Sequence, residues 1–287
     1  MKNIYQNHWG KSLGLSISQA MWQALLQRSQ RTGESVNHII QVALAAELDL
    51  EHNTIFQVST ATALVQGVYQ GCVTVGEIKK HGTLGLGTFD ELDGEGIMLD
   101  GEVWQAKSDG SLALAPDNAT APFWVSTNFS AQKIVQLTSV SSWGDLCQQI
   151  AQQRGHGASA NVFVACQIKG RFAYIKYRVA CKTASGTDLV SATSNQAVFI
   201  KEHCSGTLVG FWTPLYAKTL NVPGYHLHFI SDDRQHGGHV LEIAASNLTL
   251  QLNEETNFKL ALPESAVFLA ADLSIDPSSA LAKAEGS

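Results

Sequence analysis

The sequence predicts an α+β fold, rich in β-sheet and preceded by a short strand-helix-helix unit. Three observations carry this prediction. Residues 1–52 show one short alternating run followed by two capped helical patterns. From residue 53 onward the chain turns to short apolar runs broken by Asp-Gly and Gly-rich turns. The hydrophobic fraction of 45% over 287 residues is enough for a sizeable core, in one large domain or two modest ones.

In the first 52 residues, LGLSIS alternates with Leu13, Leu15 and Ile17 on one face, and reads as a strand. Ser18 is placed to cap a helix carrying Met21, Trp22, Leu25 and Leu26, which Gly33 ends. Ser35 caps a second helix with Val36, Ile39, Ile40, Ala43, Leu44 and Leu48. A strand and two helices of this size cannot bury a core alone. The pattern resembles a ribbon-helix-helix unit, which folds as an intertwined dimer and binds DNA through paired strands. Against DNA binding, four positive residues (Lys2, Lys11, Arg28, Arg31) meet four negative ones (Glu34, Glu47, Asp49, Glu51). The outward strand positions, Ser12, Gly14 and Ser16, offer no long basic readers. A dimerisation or packing arm is therefore preferred to a nucleic-acid arm.

Beyond residue 53, IFQVST reads as a strand, and TATALVQGVYQG and TVGEIKKHG as short helices. Asp-Gly pairs at 93, 100 and 109 mark turns between strands. SWGDLCQQIAQQRG reads as a helix ending at Gly155, marking a division of the larger region near 142–156. VFVACQIKGRFAYIKYRVAC reads as a hairpin turning at Lys169-Gly170, with further strands to about residue 270.

The net charge of −6 gives no general reason to expect nucleic-acid binding. Five scattered cysteines without a CxxC pair argue against a disulfide scaffold or zinc ribbon and suit a reducing, cytoplasmic compartment. The first residues lack a continuous apolar stretch of the kind a secretory leader needs, and no run of about 18 apolar residues predicts a membrane span.

The candidate chemistry lies in VPGYHLHFISDDRQHGGHVLEI, residues 222–243, which holds four of the ten histidines. His226 and His228 stand two apart in a strand-like run, so both imidazoles share a face. SDDRQHGG reads as a turn, after which His239 opens the next apolar run. A hairpin folded about that turn sets His239 opposite His226 or His228. Three imidazoles with an open fourth position form a catalytic zinc arrangement. Imidazole also suits iron, nickel and copper, so the ligand type leaves the metal open among divalent transition ions. His236 is an alternative third ligand from within the turn. Asp232, Asp233 and Arg234 are expected to stiffen the turn and to orient a ligating imidazole. HxH also resembles a cupin site, with the two aspartates standing where that site wants glutamate.

GTLVGFWTPLY (206–216) followed by NVPGYHLHFISDDRQHGGHVLE (221–242) closely resembles the acetolactate decarboxylase family. GLGTFDELDGEGIMLDGEVWQAKSDGSL, APFWVSTNF and IKYRVAC resemble further blocks of that family, and the resemblance spans roughly residues 55–287. It implies a two-part fold dominated by mixed sheet, in a zinc enzyme that converts 2-acetolactate to acetoin and CO2, usually as a homodimer. His226, His228 and His239 would then be the zinc ligands, and Glu95 an active-site carboxylate. Arg178 would face the substrate, Glu285 would return to the metal site, and Thr88 and Leu92 would line the pocket. Gly96 departs from the family, which more often has an apolar residue there, and residues 1–52 are an addition to it.

Loss of CO2 from an α-hydroxy-β-keto acid leaves an enediolate. A divalent metal accepting the hydroxyl and ketone oxygens would stabilise that charge. A carboxyl kept protonated near neutrality would return a proton, with Glu95 the first choice and Glu285 the second. Arg178 would hold the substrate carboxylate by a bidentate contact. On strand periodicity alone, Tyr174, Lys176 and Arg178 could equally form a solvated face. Two rivals stand beside the enzyme: an acetolactate-sensing transcriptional regulator using the N-terminal unit on DNA, and a cupin-like metal dioxygenase.

Overall fold

The computed structural model describes residues 14–48, 51–154 and 160–285. The chain falls into two compact units, 1–52 and 53–287.

In the first unit, helices α1 (Gln19–Thr32) and α2 (Val36–Glu47) begin where side-chain caps permit. Ser18 Oγ accepts from the Met21 N–H and Ser35 Oγ from the His38 N–H, meeting backbone donors left open at a helix start. Gly33 closes α1 in the left-handed region (φ 76°), its N–H returning to the Ser29 carbonyl. The strand expected over LGLSIS is not formed: residues 14–18 are irregular, and Leu13 lies outside the described residues. Ile39 is buried, whereas Leu15, Met21, Trp22, Leu44 and Leu48 are exposed.

The second unit opens with β1 (Thr54–Val58), α3 (Ala61–Val65), β2 (Val73–Thr74), α4 (Val75–Ile78), β3 (Leu84–Thr88), β4 (Glu95–Leu99) and β5 (Glu102–Ala106). It continues through β6 (Leu112–Leu114), β7 (Thr120–Ala121), β8 (Phe123–Thr127), β9 (Lys133–Val140), α5 (Trp143–Gln153) and β10 (Phe163–Val179). There follow α6 (Leu189–Thr193), β11 (Ala197–Thr213), β12 (Gly224–Ser231), β13 (Gly237–Glu255), β14 (Asn257–Ala261), α7 (Ala266–Ala270) and α8 (Ser278–Glu285).

Two large sheets result. The first has the order β14-β1-β8-β3-β4-β5-β6; β14 runs parallel to β1 and the other pairs are antiparallel, so the sheet is mixed. The second has the order β10-β11-β12-β13-β9, and β10 also pairs with β13, so it closes on itself. Leu86, Ile97 and Phe123 of the first sheet share one core with Ala165, Val209 and Ile230 of the second. The change of sheet falls between β8 and β9, ahead of α5, and not at the helix expected to mark it. α5 instead packs Leu146 and Ile150 against the second sheet's own core.

Two further expectations are corrected. Lys169-Gly170 is no hairpin turn: β10 runs on for 17 residues, because β11 and β13 flank it on both sides of that point. Gly170 instead sits at a register shift against β13, opposite Asn247 at φ 56°. Strands do not continue to residue 270. The last ends at Ala261, and a Ser265 cap starts α7.

Candidate metal centre and active site

The paired strands set the site. His228 of β12 pairs with His239 of β13, and His239 pairs on its other side with Arg178 of β10. Directly opposed residues project to one face of a sheet, so Arg178, His239 and His228 stand in one row across three strands. His226 joins them from two residues before His228. The ligand nitrogens of the three histidines all lie within 4.8 Å of one another, and His226 Nε2 is 3.2 Å from His228 Nε2. His236 stays in the turn, where its N–H donates to Ser231 Oγ, so it is not the third member.

All three imidazoles are buried. Burial, with the Arg178 cation beside them, pushes His226 down to about 3 and holds His228 and His239 well below the usual histidine range. Each therefore keeps a lone pair for a cation. His228 Nδ1 lies 2.8 Å from the Gly96 carbonyl oxygen. A carbonyl only accepts, so Nδ1 carries the proton and Nε2 is bare toward its neighbours. The orienting partner is thus a backbone carbonyl of β4. Asp233, expected in that role, accepts instead from Ser231 Oγ and the Gln235 N–H within the turn.

Two carboxyls flank the cluster. Glu95 opens β4, paired with Thr88 across the β3–β4 hairpin. Its Oε1 accepts from the Ala180 N–H at 3.2 Å, and its Oε2 lies 3.6 Å from His228 Nε2. Burial pushes its pKa up to about 7, with Arg178 opposing and Glu285 adding to the rise. Glu285 arrives on α8, whose Leu281 and Ala284 are buried. Its Oε2 lies 3.4 Å from His239 Nε2 and 3.1 Å from Arg178 Nη2. Burial raises its pKa, and Arg178 works against that rise.

Arg178 is turned differently from expectation. Its Nη1 donates to the Ala284 carbonyl and its Nη2 to Glu285, so both ends of the fork hold α8. Only Nε is buried without a partner. A bidentate grip on a substrate carboxylate through the two Nη groups would require α8 to give them up.

These groups line one cavity, walled by apolar side chains including Leu64, Leu92, Phe123 and Val222. Thr88 and Leu92 both line it. The Thr88 hydroxyl, however, donates to the Gly94 carbonyl at 2.8 Å and so braces the turn ahead of Glu95. Glu91 and Leu92 lie in the left-handed region (φ 56° and 52°), a strained backbone that only surrounding contacts maintain. The Glu91 N–H donates to the Tyr69 carbonyl and the Glu91 carbonyl accepts from Thr183. Gly96 is required locally, because a Cβ there would strike the Trp124 ring.

The sequence matches the family described as alpha-acetolactate decarboxylase over residues 55–275. The chain belongs to the alpha-acetolactate decarboxylase family. A relative of that name from Brevibacillus brevis is 36% identical over 234 residues, covering 81% of each chain. One from Methanosarcina mazei is 40% identical over 229 residues, covering 78% of each. The crystal structure of alpha-acetolactate decarboxylase from Bacillus subtilis strain 168 superimposes with a TM-score of 0.77 at 34% identity, covering 82% of this chain and all of that one. The α+β class and the resemblance read from the decarboxylase-like blocks are therefore correct. Nothing in these comparisons supports the sensing regulator, and that reading is set aside. No helix among the described residues is long and apolar enough to cross a membrane.

Among the lining residues that the sequence reading missed is Gln196. It sits in a polar stretch between α6 and β11 with no motif around it, so only the fold reveals it.

Proposed function

We propose that the chain decarboxylates 2-acetolactate to acetoin and CO2 with zinc held by His226, His228 and His239. The observation that carries the reading is a buried cluster of three neutral imidazoles, flanked by two carboxyls, in a chain of this family. Tetrahedral zinc with nitrogen at about 2.0–2.1 Å sets its ligand atoms about 3.3 Å apart. The 3.2 Å separation of His226 and His228 fits that spacing. A metal held there supplies Lewis-acid stabilisation of the negative charge that develops as CO2 leaves.

The chain's own groups do the rest. The apolar wall reduces the solvation of the carboxyls and imidazoles that face it. Glu95 is the proton donor: its Oε1 is fixed by the Ala180 N–H, its Oε2 faces the cluster, and burial keeps it protonated near neutrality. Glu285 is the second carboxyl; the Arg178 cation beside it favours its ionised form, so it is less suited to hold a proton for delivery. The Arg178 Nε–H is the donor left for substrate.

Residues 1–52 serve as a dimerisation arm and 53–287 as the catalytic region, in a homodimer. Exposed Leu15, Met21, Trp22, Leu44 and Leu48, with balanced charge, support self-association over nucleic-acid binding. The five free cysteines support a reducing, cytoplasmic compartment.

The test is acetoin formation from racemic 2-acetolactate by the purified chain, before and after dialysis against a chelator and after adding back zinc. The expected result is activity that is lost with the metal and restored by zinc. No acetoin from metal-loaded protein would overturn the function, and full activity after complete metal removal would overturn the role of zinc.

A further inference from the structure

The cavity contains a polar side chain that makes no hydrogen bond to the other described residues. The hydroxyls of Thr88 and Thr193 donate to the carbonyls of Gly94 and Leu189. Glu95 accepts from Ala180, and both Nη groups of Arg178 hold α8. The imidazoles and Glu285 are engaged with one another, with Gly96 and with Arg178. Gln196 lines the cavity too, half-buried, and its amide makes no hydrogen bond among the described residues. Its place is well defined, because the next residue, Ala197, pairs with Val179, the neighbour of Arg178.

We propose that Gln196 is a substrate-binding residue whose amide N–H donates to the substrate carboxylate, alongside Arg178 Nε. The inference rests on the decarboxylase reading and names who holds the departing group. An α-hydroxy-β-keto acid brings three kinds of oxygen. Its hydroxyl and ketone belong with the three-imidazole site, which leaves the carboxylate in need of N–H donors. Glu285, paired with Arg178, is an acceptor, the proton of Glu95 is the one delivered in the reaction, and the two threonine hydroxyls are already donating. Outside the three imidazoles of the metal site, Arg178 Nε and the Gln196 amide remain. A neutral amide suits the task. The carboxylate loses its charge as CO2 forms, so a second full cation would stabilise the ground state more than the transition state and slow the step. The hold of Gln196 is therefore made in the bound substrate and fades as the bond breaks.

The test uses full-length, metal-loaded protein carrying Gln196→Met, of similar size without a donor, and Gln196→Glu, which sets a carboxylate against a carboxylate. Thermal denaturation checks that both fold as wild type does. A hydrogen bond to a charged group accounts for about a tenfold or greater change in binding. The expected result is a KM raised about 10-fold in the Met variant and further in the Glu variant, with kcat no lower than wild type. A KM within about twofold of wild type in both variants overturns the proposal, as does a fall in kcat at unchanged KM. Calorimetric binding of 2,3-dihydroxy-2-methylbutanoate, in which an alcohol replaces the ketone, and of its methyl ester gives a second readout. The variants should weaken the acid and leave the ester unchanged; equal effects on both overturn the assignment. If wild type makes no acetoin, the proposed function falls, and this comparison still decides on Gln196.

Discussion

Glu255 lies at the end of β13, outside the active site, and is only 2% exposed. Its Oε1 accepts from Thr127 Oγ1 at 2.9 Å and from Asn253 Nδ2 at 2.7 Å, while its Oε2 is buried without a partner. Burial outweighs those two hydrogen bonds and raises its pKa from 4.5 to about 7. The folded chain therefore binds this proton more tightly than the unfolded chain. The stability it contributes is complete below about pH 4.5, declines as pH rises, and is lost above about pH 7. At 1.36 kcal/mol per pKa unit, the loss across that window is about 3 kcal/mol. Glu255→Gln removes the titration and keeps an oxygen to accept from Thr127 and Asn253. Urea denaturation of both proteins from pH 4.5 to 8 should show nearly equal stability at the acid end. At pH 8 the variant should be more stable by about 3 kcal/mol. The difference between the two proteins cancels the contributions of Glu95 and Glu285, which are common to both. A gap that does not change with pH would refute the argument.

Leu281, 2% exposed, is one of the two buried anchors of α8. Leu281→Ala should cost about 2–5 kcal/mol of packing. In an eight-residue helix that cost emerges as local opening, read as faster amide hydrogen exchange over 278–285, with kcat/KM falling about tenfold or more as Glu285 leaves His239. Unchanged exchange and activity would show that α8 does not depend on this anchor. In the N-terminal unit, Trp22→Lys with Leu44→Lys places charge on the exposed apolar residues. Sedimentation of the full chain should show weaker self-association, and an unchanged assembly state would remove the arm from the interface.

The legible parts of the chain were the local ones. Ser18 and Ser35 announced helix starts because a capping hydroxyl acts within three residues. Asp100-Gly101 announced the β4–β5 turn because both residues take positive φ there (54° and 81°). The His226–His228–His239 cluster was legible because two strands joined by a short turn can bring only near neighbours together. The illegible parts depend on residues far apart in sequence. Whether Lys169-Gly170 turns or bulges is decided by β11 and β13, which flank it from both sides. Glu255 is buried against Thr127 of the other sheet, 128 residues away, and accepts its hydroxyl. The free donor at Gln196 becomes visible only when the fold places it in the cavity beside Arg178 Nε.

The face of Arg178 shows how register settles what periodicity leaves open. Tyr174, Lys176 and Arg178 alternate along β10, and alternation alone permits a solvated polar face. Lys176 does lie outward, paired with Glu242 at 2.8 Å. Between Lys176 and Tyr177 the pairing with β13 shifts by one residue: Lys176 opposes Glu242, yet Tyr177 opposes Val240. Leu241 is the residue passed over. With no shift, Arg178 would face Val240, and His239 would lie on the opposite side of the sheet from its present partners. The bulge therefore brings His239 into the row of Arg178 and His228, and it turns one end of a polar strand face into a buried site. A single unpaired residue on β13 thus separates the exposed Lys176–Glu242 pair from the metal cradle two positions further along β10.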